Sequence, residues 1–93
     1  KDGVRPFFEA TTDRIVTYHF MLHDKPGVMS SILGLMARSG ANLLTVNQSI
    51  PMRGMASVTI SARTGEMKYS SEELVHRAEA MEGVSKVEIL ASE

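Results

Sequence analysis

The chain has no cysteine among its 93 residues. That excludes disulfides, thiolate metal sites and cysteine nucleophiles together, and it fits a cytoplasmic setting. An excess of charge is also missing. Lys and Arg number 10 against 11 Asp and Glu, for a net charge of -1, whereas a domain that grips nucleic acid needs a clear basic surplus. Apolar runs are short and broken by polar residues, so none approaches the ~20 residues that cross a bilayer. No leader of the secretory type is expected at the start. The sequence opens at Lys1 rather than Met, and a lost preceding segment is expected. Hydrophobic residues make up 43% and charged residues 23%, the balance of a soluble globular chain and not of a disordered one. The length suits one small domain.

Residues 1–13 lack periodicity and carry Gly3 and Pro6, which interrupt regular structure. They are expected to be a linker or tail from a missing N-terminal helical segment, with residues 14–93 as the domain. Arg14 to His23 alternates with period two, placing Val16, Tyr18, Phe20 and Leu22 on one face. Asp24-Lys25-Pro26-Gly27 then turns the chain, and Pro26 suits the start of a helix because its ring presets φ. Val28, Ile32, Leu35 and Met36 recur at helical spacing up to Ser39, and Gly40 ends the helix.

A second strand is expected over residues 41–50, with its register left open because Leu43 and Leu44 are adjacent. Pro51 to Gly54 is a tight reversal. Ala56, Val58, Ile60 and Ala62 alternate with serines and threonine in a third strand. Ser70 and Glu73 form a capping box for a second helix with Leu74, Val75, Ala78 and Met81 as its stripe. The last strand runs from Val84 to Ala91, with Val87, Ile89 and Ala91 inward. The order βαββαβ gives an α+β, ferredoxin-like sandwich, a four-stranded antiparallel sheet with two helices on one face. That fold carries many functions, so function has to be argued from a site.

The turn at Asp24 to Met29 is the leading candidate. A helix start leaves amides unpaired and carries partial positive charge, which suits a small carboxylate. Gly27 admits close approach, and Asp24 is placed to accept from an ammonium group. The plainer alternative is that Asp24 only caps the helix. The segment HDKPGVMSSILGLMARSGANLLTVNQSI resembles the ACT domain, the small-molecule-binding regulatory module of amino-acid metabolism. Asp24 to Gly27 match its Asp-x-Pro-Gly turn, and Gly40-Ala41-Asn42-Leu43 match its entry to the second strand. More narrowly, VNQSIPMRGMASVTIS with KDGVRPFFE is similar to small bacterial ACT proteins bearing the PheB or chorismate mutase label.

The resemblance implies a non-catalytic module that binds an amino acid such as phenylalanine, with no cofactor. It implies a homodimer joined antiparallel along the second strand, Ala41 to Ile50. Ligand-binding residues would be His23, Asp24, Lys25, Pro26, Gly27, Val28, Met29 and Arg53 of one chain, with Asn42 and Leu43 supplied across the dimer. Two alternatives stand beside it. Chorismate mutase chemistry would need converging cations from the six scattered arginines. A transcriptional regulator would contact DNA through the missing helical part.

Other features carry less. His19 and His23 are four apart, which on a strand separates them by roughly 13 Å, too far to share a metal ion. The methionines are mostly core fillers, with Met52 and Met55 at the hairpin. The polar stripe of Thr45, Asn47, Ser49, Ser57, Thr59 and Ser61 has no histidine on its own strands, so no base is expected beside a nucleophile.

Overall fold

The computed structural model describes residues 14–92, so the expected tail at 1–13 lies outside the described residues. Six elements follow in order: β1 (Ile15–His23), α1 (Val28–Ser39), β2 (Asn42–Gln48), β3 (Met55–Arg63), α2 (Ser71–Glu79) and β4 (Val84–Ser92). The strands form one antiparallel sheet in the order β2-β3-β1-β4. This is the expected ferredoxin-like arrangement.

The core follows from the period-two patterns of the two central strands. Val16, Tyr18, Phe20 and Leu22 of β1 lie opposite Ala62, Ile60, Val58 and Ala56 of β3, and all eight are buried. Against this face α1 sets Val28, Ile32, Leu35 and Met36, and α2 sets Leu74 and Ala78. Burying side chains of this size contributes ~1.5–3 kcal/mol each. Tyr18 is the polar member of this set. Its hydroxyl shares a 2.9 Å hydrogen bond with Ser71 Oγ at the start of α2, so the buried phenol is satisfied.

The outer strands depart from simple alternation. In β2 the register slips between Leu43 and Thr45, so Leu43 faces Ala62 and Thr45 faces Ser61. Leu44 is therefore the extra residue of a β-bulge, which is how two adjacent leucines are accommodated in one strand. In β4, Val87 is buried as expected, but Ile89 is 38% exposed and Ala91 is exposed. A slip between Thr17 and Tyr18 leaves Leu90 without a partner, so Ala91 pairs with Thr17 on the uncovered face. The bulge reverses the alternation, and Ala91 turns away from the helices.

The hairpin between β2 and β3 is tighter than its proline suggested. Met52 and Met55 exchange both backbone hydrogen bonds, at 2.8 and 3.0 Å, around Arg53 and Gly54. Both central residues have positive φ, 56° and 77°, the pattern of a two-residue turn that follows the twist of its strands. Pro51 lies just outside it.

Candidate functional site

β1 ends at His23, and the backbone then makes a short turn into α1. Lys25 N–H donates to the His23 carbonyl at 2.9 Å, and Asp24 N–H donates to the Gly54 carbonyl of the hairpin at 2.8 Å. The second bond brings Arg53 to the same end of the sheet as Asp24. His23, Asp24, Lys25, Pro26 and Gly27 are exposed, Met29 is half-buried, and Val28 is turned into the core. The structure thus brings together eight of the ten residues singled out from the sequence.

The start of α1 is open. Its N-cap is Gly27, at φ 88°, and no side chain caps the helix. The plainer reading of Asp24 as a cap is not what the turn does; its carboxylate makes no hydrogen bond or ion pair among the described residues. Ser31 N–H reaches the Gly27 carbonyl at 2.9 Å and Val28 N–H reaches the Lys25 carbonyl at 3.4 Å. Among the described residues, the amides of Gly27, Met29 and Ser30 find no acceptor. No acidic residue stands in the first turn to neutralise the positive end. A Cβ placed on Gly27 would meet nothing within 4 Å. By contrast, α2 is self-satisfied: Ser70 Oγ accepts from Glu73 N–H at 3.1 Å, and Glu72 and Glu73 occupy its first turn.

A cavity of about 450 Å3 opens beside this helix start. Lys25, Pro26, Gly27, Val28 and Ser31 form one wall; Met81, Glu82 and Gly83, between α2 and β4, form the other. Sequence reasoning missed the second wall. Gly83 was legible only as a helix terminator, yet its backbone meets both neighbours of the site. Its carbonyl accepts from His23 N–H at 2.8 Å, and a Cβ there would come within 2.6 Å of Val28 Cγ2. That contact is tertiary and leaves no local trace.

Asn42 and Leu43 are not at this end. Asn42 lies level with Arg63, which in turn pairs with Ile15 at the start of β1. Asp24 follows the other end, after eight residue steps or roughly 26 Å along the strand. Asn42 instead lines a smaller cavity of about 230 Å3 with Gly40, Arg63, Gly65 and Glu66. Within one chain the predicted residues form two groups at opposite ends of the sheet.

β2 is an outer strand, and its free edge is apolar. Leu44 is 42% and Val46 41% exposed, followed by Ile50 at 85% and Met52 at 72%. Among the described residues no group of three or more His, Asp or Glu is placed to hold a metal ion. No helix among them is long and apolar enough to cross a membrane.

Comparison with known proteins bears on the fold. No family model matches the chain. It is 46% identical over all 93 residues to a protein of Caldicellulosiruptor saccharolyticus named as a UPF0735 ACT domain-containing protein, covering 62% of that relative. A protein of the same name from Carboxydothermus hydrogenoformans is 46% identical over 90 residues, again with 62% of its length covered. The chain therefore spans about three fifths of the curated relatives it matches. Among solved structures, the ACT domain of the Chlorobium tepidum GTP pyrophosphokinase superposes with a TM-score of 0.68 at 20% identity, over 84% of this chain and 99% of that one. The small subunit of acetolactate synthase from Thermotoga maritima gives 0.64 at 24% identity, over 81% of this chain and 46% of that one.

Proposed function

We propose that this chain is an ACT domain, as its fold and its sequence relatives support, and that it is a regulatory module binding a free amino acid at the turn between β1 and α1. One observation carries the reading: three amides and an open glycine at an uncapped helix start, with an unpaired carboxylate at Asp24 immediately before it. Amides at the positive end of a helix suit an α-carboxylate; a nearby acidic side chain suits an α-ammonium group. Val28 and Met29 beside the turn favour an apolar side chain, phenylalanine being the type we test first.

The reading extends to a homodimer. β1 and β2 both run antiparallel to β3 and so run parallel to each other. Two copies joined antiparallel along β2 would bring the partner's Asn42 and the partner's Leu43 toward Asp24 and Arg53 of the first chain. The exposed edge has no charged residue between Ala41 and Ile50 to oppose such pairing. A ligand held by both chains would favour one arrangement of the dimer by its differential affinity, which is how a non-catalytic module regulates. We place it in the cytoplasm. The described arginines sit on different elements, at Arg14, Arg38, Arg53, Arg63 and Arg77, which favours binding over mutase chemistry that needs converging cations.

The test is a melting screen with each of the twenty amino acids. A ligand at 100 times its Kd stabilises by ~2.7 kcal/mol, worth roughly 10–20 °C for a domain this small. Asp24→Asn should cancel most of that shift without moving the ligand-free melt. Gly27→Val is a poorer probe, since φ 88° strains any β-branched residue whatever the space. No shift with any amino acid at millimolar concentration removes the proposal.

A further inference from the structure

The sheet's uncovered face brings together three side chains that are far apart in sequence. His19 of β1 lies between β3 and β4, and its half-buried ring faces a hydroxyl on one side and a carboxylate on the other. Nε2 is 2.6 Å from Ser57 Oγ, and Nδ1 is 3.7 Å from Glu88 Oε1. Glu88 is itself steadied by Lys86, whose Nζ lies 3.2 Å from Oε2. The register explains the meeting: His19 pairs with Thr59 and Glu88, and its ring leans diagonally toward Ser57. With Nδ1–H turned to the carboxylate, Nε2 presents its lone pair to the Ser57 hydroxyl. A nucleophile, a base and a group that orients the base is the arrangement that activates serine.

We propose that Ser57 is an activated nucleophile that takes an acyl group from activated esters, independently of any ligand at the α1 start. In the step, Ser57 Oγ bonds to the ester carbonyl carbon while its proton passes to His19 Nε2. The carbon–oxygen bond to the leaving group breaks, the leaving group departs as an alkoxide or phenolate, and the imidazole releases the proton to water. The products are an acyl ester of Ser57, the leaving-group anion and a proton taken up by water. Glu88, at 3.7 Å and beyond hydrogen-bond distance, is a positioning residue that acts through its charge, favouring the tautomer with the proton on Nδ1.

The same geometry limits the substrate class. β3 is flanked by strands on both sides, and the Ser57 amide already donates to Ser49 Oγ at 3.2 Å. The backbone is therefore committed to the sheet and offers no donor pair for a developing oxyanion. Donors must bring their own good leaving group, as phenyl esters do, and the acyl-serine then persists.

The experiment uses p-nitrophenyl acetate on the intact protein, following phenolate release and locating the acetyl group by peptide mass spectrometry. The expected result is a burst of about one phenolate per chain with acetyl on Ser57 in preference to Ser49 and Ser61. Ser57→Ala should remove the burst, and His19→Gln should slow it by about 100-fold or more, the range for a lost general base. Glu88→Gln, on an exposed outer strand, should slow it several-fold while the melting temperature stays put. Acetylation spread over lysines and other serines in the parent protein overturns the proposal. So does a Ser57 rate unchanged in both His19→Gln and Glu88→Gln.

Discussion

Tyr18 is the residue at which burial and ionisation conflict most. Its ring stacks at a tilt 6.3 Å from Phe20, and its hydroxyl meets Ser71. Burial pushes the phenol above its ordinary value of about 10; the Ser71 hydrogen bond pulls it back in part, and the charge of Glu72 adds to the rise. A raised value in the folded state means the contribution is whole below the unfolded value and is lost as pH climbs through the folded one. Stability should therefore fall on alkaline titration above pH ~10, by up to ~1.4 kcal/mol per pH unit between the two values. Tyr18→Phe should cost ~1 kcal/mol at neutral pH through the lost hydrogen bond and flatten the alkaline limb. Urea melts of both proteins at several pH values check this; parallel alkaline limbs would refute it. The sequence showed Tyr18 as a core position because strand alternation is local. It did not show the partners of His19, because the histidine sits on β1 and the serine on β3, and only the pairing of those strands joins them.

At the scale of elements, the two helices begin in opposite ways, and the sequence announced the capped one. Ser70 and Glu73 stand at capping-box spacing, and the structure has Ser70 Oγ accepting from the Glu73 amide. Ser70→Ala should lower stability by ~1 kcal/mol, within the ~0.5–2 kcal/mol span of N-cap losses. The check is a urea midpoint that shifts at unchanged slope. A change smaller than a few tenths would mean that α2 is held by Leu74 and Ala78 alone. At α1 the turn was legible but its boundary was not: Pro26 was expected at the first helical position, whereas Gly27 is the N-cap and Val28 the first helical residue, leaving Pro26 ahead of the cap. The bulges at Leu44 and Leu90 were not legible. A bulge depends on which residue lies opposite, and a strand read alone carries no information about that.

Among the described residues, the sheet has two free edges and helices on one face. The β2 edge is the uncharged one, and the proposed dimer depends on it. Val46→Lys places a charge at the centre of that edge. If the reading is right, a parent that sediments as a dimer becomes monomeric in this variant at the same concentration, and its melting temperature no longer depends on concentration. A variant that remains dimeric by light scattering would move the interface elsewhere. The order of elements and the β1–α1 turn were both readable from one chain, because each is written in neighbouring residues. The placement of Asn42 and Asp24 at opposite ends of the sheet followed from that order too, whereas the cavity's second wall at Met81 to Gly83 belongs to the tertiary arrangement, where neighbouring residues are silent.

The single bond from the Asp24 amide to the Gly54 carbonyl has a mechanical consequence. It tethers the loop to the tip of the hairpin that terminates the outermost strand. A molecule bound in the proposed pocket would therefore act on this tip through the Asp24 amide. In the proposed dimer, that bond would join the ligand loop at one corner to the β2 edge offered to a second copy.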